Sequence, residues 1–162
     1  LKDKDRQLTM IDPAEYELPI LKERHKYLED PSESIEKLHQ IFTDSDGFIL
    51  VACEYNHGIS SALKNILDHF YFEFYFKACG IVSYSTGGFG GIRSADMLRL
   101  ICSTMGMPPI PHSVAISNIK TTLTEEGETK DENLLKSFKK FTGQFEWYLN
   151  AYKTQREKGV PK

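Results

Sequence analysis

Two short segments concentrate the residue types that hold a flat, polar heterocycle: Glu54-Tyr55-Asn56-His57 and Ser85-Thr86-Gly87-Gly88-Phe89-Gly90-Gly91. The second has four glycines in the five positions from 87 to 91. Glycine permits positive φ and lets backbone approach a ring without a Cβ between them. Backbone N–H groups in such a loop can then bond the carbonyls and ring nitrogens along a heterocycle's edge. A plain strand-to-helix turn needs one or two glycines rather than four. The first segment is less decisive. Tyr55 can lie against a ring and Asn56 offers both a donor and an acceptor, yet Asn56 or Ser60 can equally cap a following helix.

Both segments follow an apolar run and precede a helical pattern. Gly47 to Cys53 contains almost no polar residue, and Ala78 to Tyr84 is similar, as strands covered on both faces require. After the first, Ile59, Leu63, Ile66, Leu67 and Phe70 recur at helical spacing. After the second, Ile92, Ala95, Leu98, Ile101 and Met105 do the same. Ser113 to Ile116 reads as a further strand, Thr124 to Asp131 as a loop, and Glu132 to about Lys153 as a closing amphipathic helix. Upstream, Leu8 to Ile11 is β-prone and Asp12-Pro13 ends it. Ala14 to Tyr27 reads as loop with one helical turn. Asp30-Pro31-Ser32-Glu33 forms a helix start, with Asp30 as cap, and Ile35, Leu38, Ile41 and Phe42 give that helix its apolar face. Alternating strands and helices predict one doubly wound α/β domain over residues 1–162. In such sheets ligands sit beyond the carboxyl ends of the strands, where both special segments fall.

Composition narrows the function classes. A net charge of −3 gives no basic excess to drive binding to nucleic acid or to acidic membranes. No window approaches the roughly 18 apolar residues that span a bilayer, and the charged start Leu1 to Arg6 lacks the apolar stretch of a signal peptide. Cysteines at 53, 79 and 102 form no C-x-x-C pair and no disulfide framework, which fits reduced thiols in the cytoplasm. His25, His39, His69 and His112 show no metal-ligand spacing, so no metal site is expected and each reads as a surface or satisfied core residue. Cys79 and Cys102 read as small core hydrophobes, and the reactivity of Cys53 is left open. The aromatic run Phe70 to Phe76 either packs under the sheet or faces a second subunit beside the ligand.

Here the chain resembles the NADPH-dependent FMN reductase family. Glu54-Tyr55-Asn56-His57-Gly58-Ile59, followed by Leu63-Lys64-Asn65-Ile66-Leu67-Asp68, looks like that family's first signature. Its second, a Ser-x-Gly-Gly-x-Gly-Gly-x-Arg run, matches Ser85 to Arg93, and the resemblance extends from about Leu8 to Trp147. It implies a flavodoxin-like fold binding FMN, with NADPH or NADH as hydride donor and a flavin, quinone, azo or similar small-molecule acceptor. Glu54, Tyr55, Asn56 and His57 would lie along the isoalloxazine. Ser85, Thr86, Gly87 and Gly88 would contact its pyrimidine end, with Gly90 and Gly91 completing the loop. No side chain need act as acid or base, because the cofactor carries the hydride, and no catalytic residue is expected. A homodimer or homotetramer follows from the resemblance alone. The alternative is a flavodoxin-type electron carrier, although a pI near 6.0 is only mildly acidic for one. Two departures stand out. Cys53 occupies a position where the family usually has proline, and no first strand with its Gly-Ser-x-Arg-type phosphate loop precedes Leu8. The expectation is therefore a sheet lacking its first βα unit, roughly 30 residues.

Overall fold

A computed structural model describes residues 6–161; the charged start Leu1 to Asp5 lies outside them. Among the described residues four strands form one sheet in the order β2-β1-β3-β4. β1 (Gly47–Tyr55), β3 (Ala78–Tyr84) and β4 (Val114–Ile116) run parallel, while the two-residue β2 (Gly58–Ile59) pairs antiparallel with the end of β1. The apolar run Ala78 to Tyr84 becomes a strand because helices on both sides bury it, whereas Gly47 to Cys53 pairs with it and leaves Val51 exposed on one face. Along β3, Cys79 and Ile81 enter one core with α1 (Glu33–Asp44), α2 (Ser61–His69) and α3 (Ile92–Thr104). Ala78 and Val82 enter a second core with β4 and α5 (Glu132–Glu157). The doubly wound expectation holds, with α1, α2 and α3 on one face and α5 on the other.

Several local expectations change. Leu8 to Ile11 takes no strand conformation, and Leu8 and Met10 are exposed; a β-prone run with no neighbour to pair with gains nothing from extending. The segment to Tyr27 holds two 3₁₀ turns, Pro13–Glu15 and His25–Tyr27, rather than one. α1 is capped by Ser32, whose Oγ accepts from the Ile35 amide at 3.4 Å, so Asp30 and Pro31 lie outside the helix. On α3 the inward face is Ala95, Leu98 and Cys102, whereas Ile92 is exposed. A short helix, α4 (Ile119–Thr122), interrupts the stretch after β4. Cys79 and Cys102 are fully buried with Sγ atoms 3.7 Å apart, as core hydrophobes should be.

The aromatic run divides. Phe70 and Phe74 are core, while Phe72 is half exposed beneath the Lys26 ammonium, 4.2 Å from the ring centroid. The run leads into the amino end of β3, so it lies at the opposite end of the sheet from the glycine loop.

Candidate flavin-binding site

Strand register brings the candidate residues to one edge. Cys53 pairs with Tyr84 and Tyr84 pairs with Ile116, so Glu54, Ser85 and Ser117 are the next residues of three adjacent strands. Adjacent strands lie about 4.8 Å apart, so the three chains leave the sheet side by side.

The first exit does not pass straight into a helix. Asn56 and His57 take positive φ, 49° and 65°, and turn the chain in a tight hairpin that pairs Tyr55 with Gly58. Two consecutive left-handed residues are the signature of a type I′ turn. Asn56 tolerates this conformation, while His57 does so at some strain. The side chains of Tyr55, Asn56 and His57 are exposed at the hairpin tip. Ser60 then caps α2 through the Leu63 amide, so the hairpin and the cap are both present.

Glu54 behaves differently from its three neighbours. Its carboxylate accepts from the Arg93 amide at 3.3 Å and from the Arg93 guanidinium at 3.2 Å. A negative group thus answers the positive N-terminal end of α3 from within the protein, and the two loops are tied together. Arg93 also lies over the exposed Phe89 ring, 4.8 Å from its centroid.

The glycine loop contains two kinds of glycine. Gly90 and Gly91 have φ of 61° and 74°. A Cβ on Gly91 would stand 2.7 Å from the Tyr84 carbonyl oxygen, and one on Gly90 would stand 3.1 Å from Ala115. These two are needed to fold the loop onto the sheet. Gly87 and Gly88 have no positive φ, and a Cβ on either would meet nothing within 4 Å. The fold itself does not require glycine at either position.

Hydrogen bonds set which way the loop faces. The Gly87 carbonyl accepts from the Asn118 amide at 3.0 Å and from Ser85 Oγ at 3.0 Å. The Gly88 carbonyl accepts from Ser117 Oγ at 2.9 Å. In a trans peptide the N–H points opposite to the preceding C=O, so the Gly88 and Phe89 amides are aimed away from these partners. Among the described residues, none accepts from the Thr86, Gly87 or Gly88 amides. The loop therefore presents bare donors beside two exposed glycines, which fits the carbonyl edge of a flavin ring. Ser117 and Asn118 escape the sequence reading. Their only signal is position, immediately after a strand, with Asn118 able to take its φ of 47°.

Behind the loop, Ser83 and Ser94 are fully buried and donate to the Gly90 and Gly91 carbonyls at 2.8 and 2.7 Å. Tyr84 is pushed above its ordinary pKa by burial, reinforced by the Cys53 thiol beside it. Cys53 is half-buried against that phenol.

A partly parallel sheet with helices on both faces defines the flavodoxin-like α/β class. The fold is similar to that of FerB, a flavoenzyme NAD(P)H:(acceptor) oxidoreductase from Paracoccus denitrificans, with a TM-score of 0.66 and 19% identity over 85% of this chain and 76% of that one. An oxidoreductase of Corynebacterium diphtheriae gives 0.61 at 16% identity, covering 75% of this chain and 65% of the other. Residues 1–121 match the NADPH-dependent FMN reductase family, and the chain belongs to it. An NAD(P)H-dependent FMN reductase of Schizosaccharomyces pombe is 40% identical over 73 residues, 45% of this chain and 36% of the relative. An NADPH azoreductase of a Bacillus species is 30% identical over 97 residues, 59% of this chain and 54% of the relative. An NAD(P)H-dependent FMN reductase of Saccharomyces cerevisiae is 27% identical over 115 residues, 66% of this chain and 59% of the relative. The chain thus spans about half the length of these relatives.

Proposed function

We propose that the protein is an FMN-dependent NAD(P)H oxidoreductase that passes electrons to a small acceptor such as a flavin, quinone or azo compound. The observation that carries this is the pair Gly87 and Gly88: glycines without a structural need, in a loop whose free amides face outward. FMN, when bound, supplies the hydride-accepting chemistry, so the protein's part is orientation and electrostatics. The amides of Thr86, Gly87, Gly88 and Phe89 bind the carbonyl edge of the ring and favour negative charge there. Tyr55, Asn56 and His57 line its other side from the hairpin. Glu54 acts mainly by holding Arg93 and thereby the spacing of the two loops. Family membership and the names of the three relatives point the same way.

The phosphate of FMN has no evident holder at these loops, and we assign that half of the site to a further βα unit on the open flank of β1. Two features favour this. Val51, in the middle of β1, is 57% exposed. Among the described residues, Gly47 to Cys53 have ladder partners on β3 alone. Among the described residues no helix is long and apolar enough to cross a membrane. From family membership we further propose work in the cytoplasm as a homodimer or homotetramer.

Anaerobic rapid mixing of flavin-loaded protein with NADPH and, separately, NADH tests the activity. Fast loss of the visible flavin absorption is expected. Protein that binds the flavin but leaves that band unchanged is an electron carrier, and the enzymatic reading then fails.

A further inference from the structure

At the end of the sheet away from the flavin loops, the fold gathers side chains that are far apart in sequence. His25 sits on the 3₁₀ turn His25–Tyr27, while Glu36 and His39 lie on α1. Their separation along the helix, i and i+3, places Glu36 and His39 on one face. The two imidazoles stack, with centroids 3.9 Å apart and planes 22° from parallel. The ligating atoms of His25, Glu36 and His39 all lie within 4.8 Å of one another.

A fourth residue orients the rings. Glu73, only 7% exposed at its side chain, places Oε1 2.8 Å from His39 Nδ1 and 3.5 Å from His25 Nδ1. Its other oxygen is fixed by the Tyr71 amide at 2.9 Å. One carboxylate oxygen thus faces both Nδ1 atoms. Its bond from His39 Nδ1 leaves that ring's lone pair on Nε2, while the proton His25 Nε2 shares with Glu36 is the one a metal ion would displace. His25 Nε2 lies 3.1 Å from Glu36 Oε2. A buried carboxylate behind a ligating histidine is the arrangement that fixes and strengthens histidine ligands at metal centres.

Charge points the same way. Among the described residues no lysine or arginine pairs with Glu36 or Glu73. The nearby cations are directed elsewhere: Arg24 over Tyr71, Lys26 over Phe72, Lys37 over Tyr16, and Lys77, whose charge is felt at Glu73, onto the Phe42 and Thr43 carbonyls. Two carboxylates therefore face two imidazoles with no fixed positive charge among them. Phe70 forms an apolar wall, 5.9 Å from the His25 ring, and exposed Glu36 leaves the opposite side open to water.

We propose that His25, His39 and Glu36 bind a divalent transition-metal ion of the zinc class, with Glu73 as the positioning residue behind both histidines. Two imidazoles and one carboxylate suit such an ion, and the open side gives it room for a water ligand. Metal–ligand bonds of roughly 2.0–2.2 Å require the ligand atoms to close by about an ångström, with exposed Glu36 swinging in and the two stacked rings turning so that their lone pairs converge on the ion. The ion would join the irregular segment before Asp30 to α1 and would not touch the flavin loops.

Calorimetric titration of the chain with ZnCl2 tests this, with Co²⁺ as a spectroscopic probe of the ligand set. One equivalent of Zn²⁺ is expected, together with visible Co²⁺ bands of low-coordinate geometry. His39→Ala and Glu36→Gln should each weaken Zn²⁺ binding at least tenfold. Glu73→Gln should weaken it about 10–100-fold at the same stoichiometry, and His112→Ala should leave it unchanged. Glu36 is exposed, so E36Q remains informative even where H39A folds poorly. Absence of one-equivalent binding overturns the site, as does binding of equal strength in E36Q.

Discussion

At the level of single residues, the four glycines of the Ser85 loop look alike in the sequence and are not alike in the molecule. Composition reports that a loop is glycine-rich, but not which φ each residue takes or what stands over it. Gly88→Val should therefore fold as well as the parent, because surface changes away from special conformations stay within about 0.5 kcal/mol. It should nevertheless weaken flavin binding at least tenfold, since the new side chain fills the space beside the free amides. Gly91→Ala should do the reverse and lower stability by about 1–3 kcal/mol, through its left-handed φ and the 2.7 Å approach to Tyr84. Urea melts and a flavin titration of the two variants separate these outcomes. Equal stability loss in both would mean that Gly88, too, serves the fold alone. The other residue-level surprise, Glu54, was invisible for a related reason. A carboxylate after a strand reads as a ligand contact until its partner, Arg93, is placed by the tertiary fold.

The elements were most legible where one force dominates. Ala78 to Tyr84 is a strand from end to end because its continuous apolar run can be buried only between two helical layers. Boundaries set by competing local choices were less so. Asp30 and Ser32 are both able caps for α1, and the hairpin at Asn56-His57 has no glycine at either left-handed position to announce it. The sheet's amino end is held by a clamp that spacing alone does not suggest. Lys77, at the entry to β3, donates to the Phe42 and Thr43 carbonyls at 2.7 and 2.8 Å, closing the last turn of α1. Arg156 on α5 donates to the Phe76 carbonyl at 2.8 Å and to Asp46 at 2.9 Å. Burial, reinforced by Arg156, lowers the Lys77 pKa to about 8, against about 10.4 for an unperturbed lysine. Between those values the unfolded chain binds more protons, so the Lys77 contribution makes stability rise with pH. Below pH 8 the cost of burying the ammonium is present in full. The stability of the parent relative to Lys77→Met should accordingly rise by on the order of 2 kcal/mol from pH 7.5 to 10. Urea unfolding at several pH values measures it, and a difference that stays flat would contradict the buried-ammonium account.

For the whole molecule, the two-faced packing explains both what is complete and what is open. On one face α1, α2 and α3 cover β1 and β3. On the other, α5 covers β3 and β4, while Val51 on β1 remains 57% exposed. A parallel strand of apolar residues is ordinarily covered on both faces, so the uncovered strip lies where another helix and strand would dock. The same flank adjoins the carboxyl end of β1, beside the flavin loops. This geometry turns the division of the ligand site into a measurement. If these loops hold the ring and the phosphate is held on the further βα unit, the 162-residue chain should bind riboflavin and FMN with affinities within a few-fold of each other. A phosphate held by several backbone amides and a helix N-terminus would instead separate the two ligands by at least tenfold, since charge-assisted bonds contribute about 1.5–3 kcal/mol each. Parallel fluorescence titrations with the two flavins, whose emission is quenched on binding, decide between these cases. A strong preference for FMN would place a phosphate site within these residues and remove the need for a further βα unit. Equal binding, with FMN preference appearing only when a βα unit is joined ahead of Leu8, would confirm that the cradle is built in two halves by two parts of the fold.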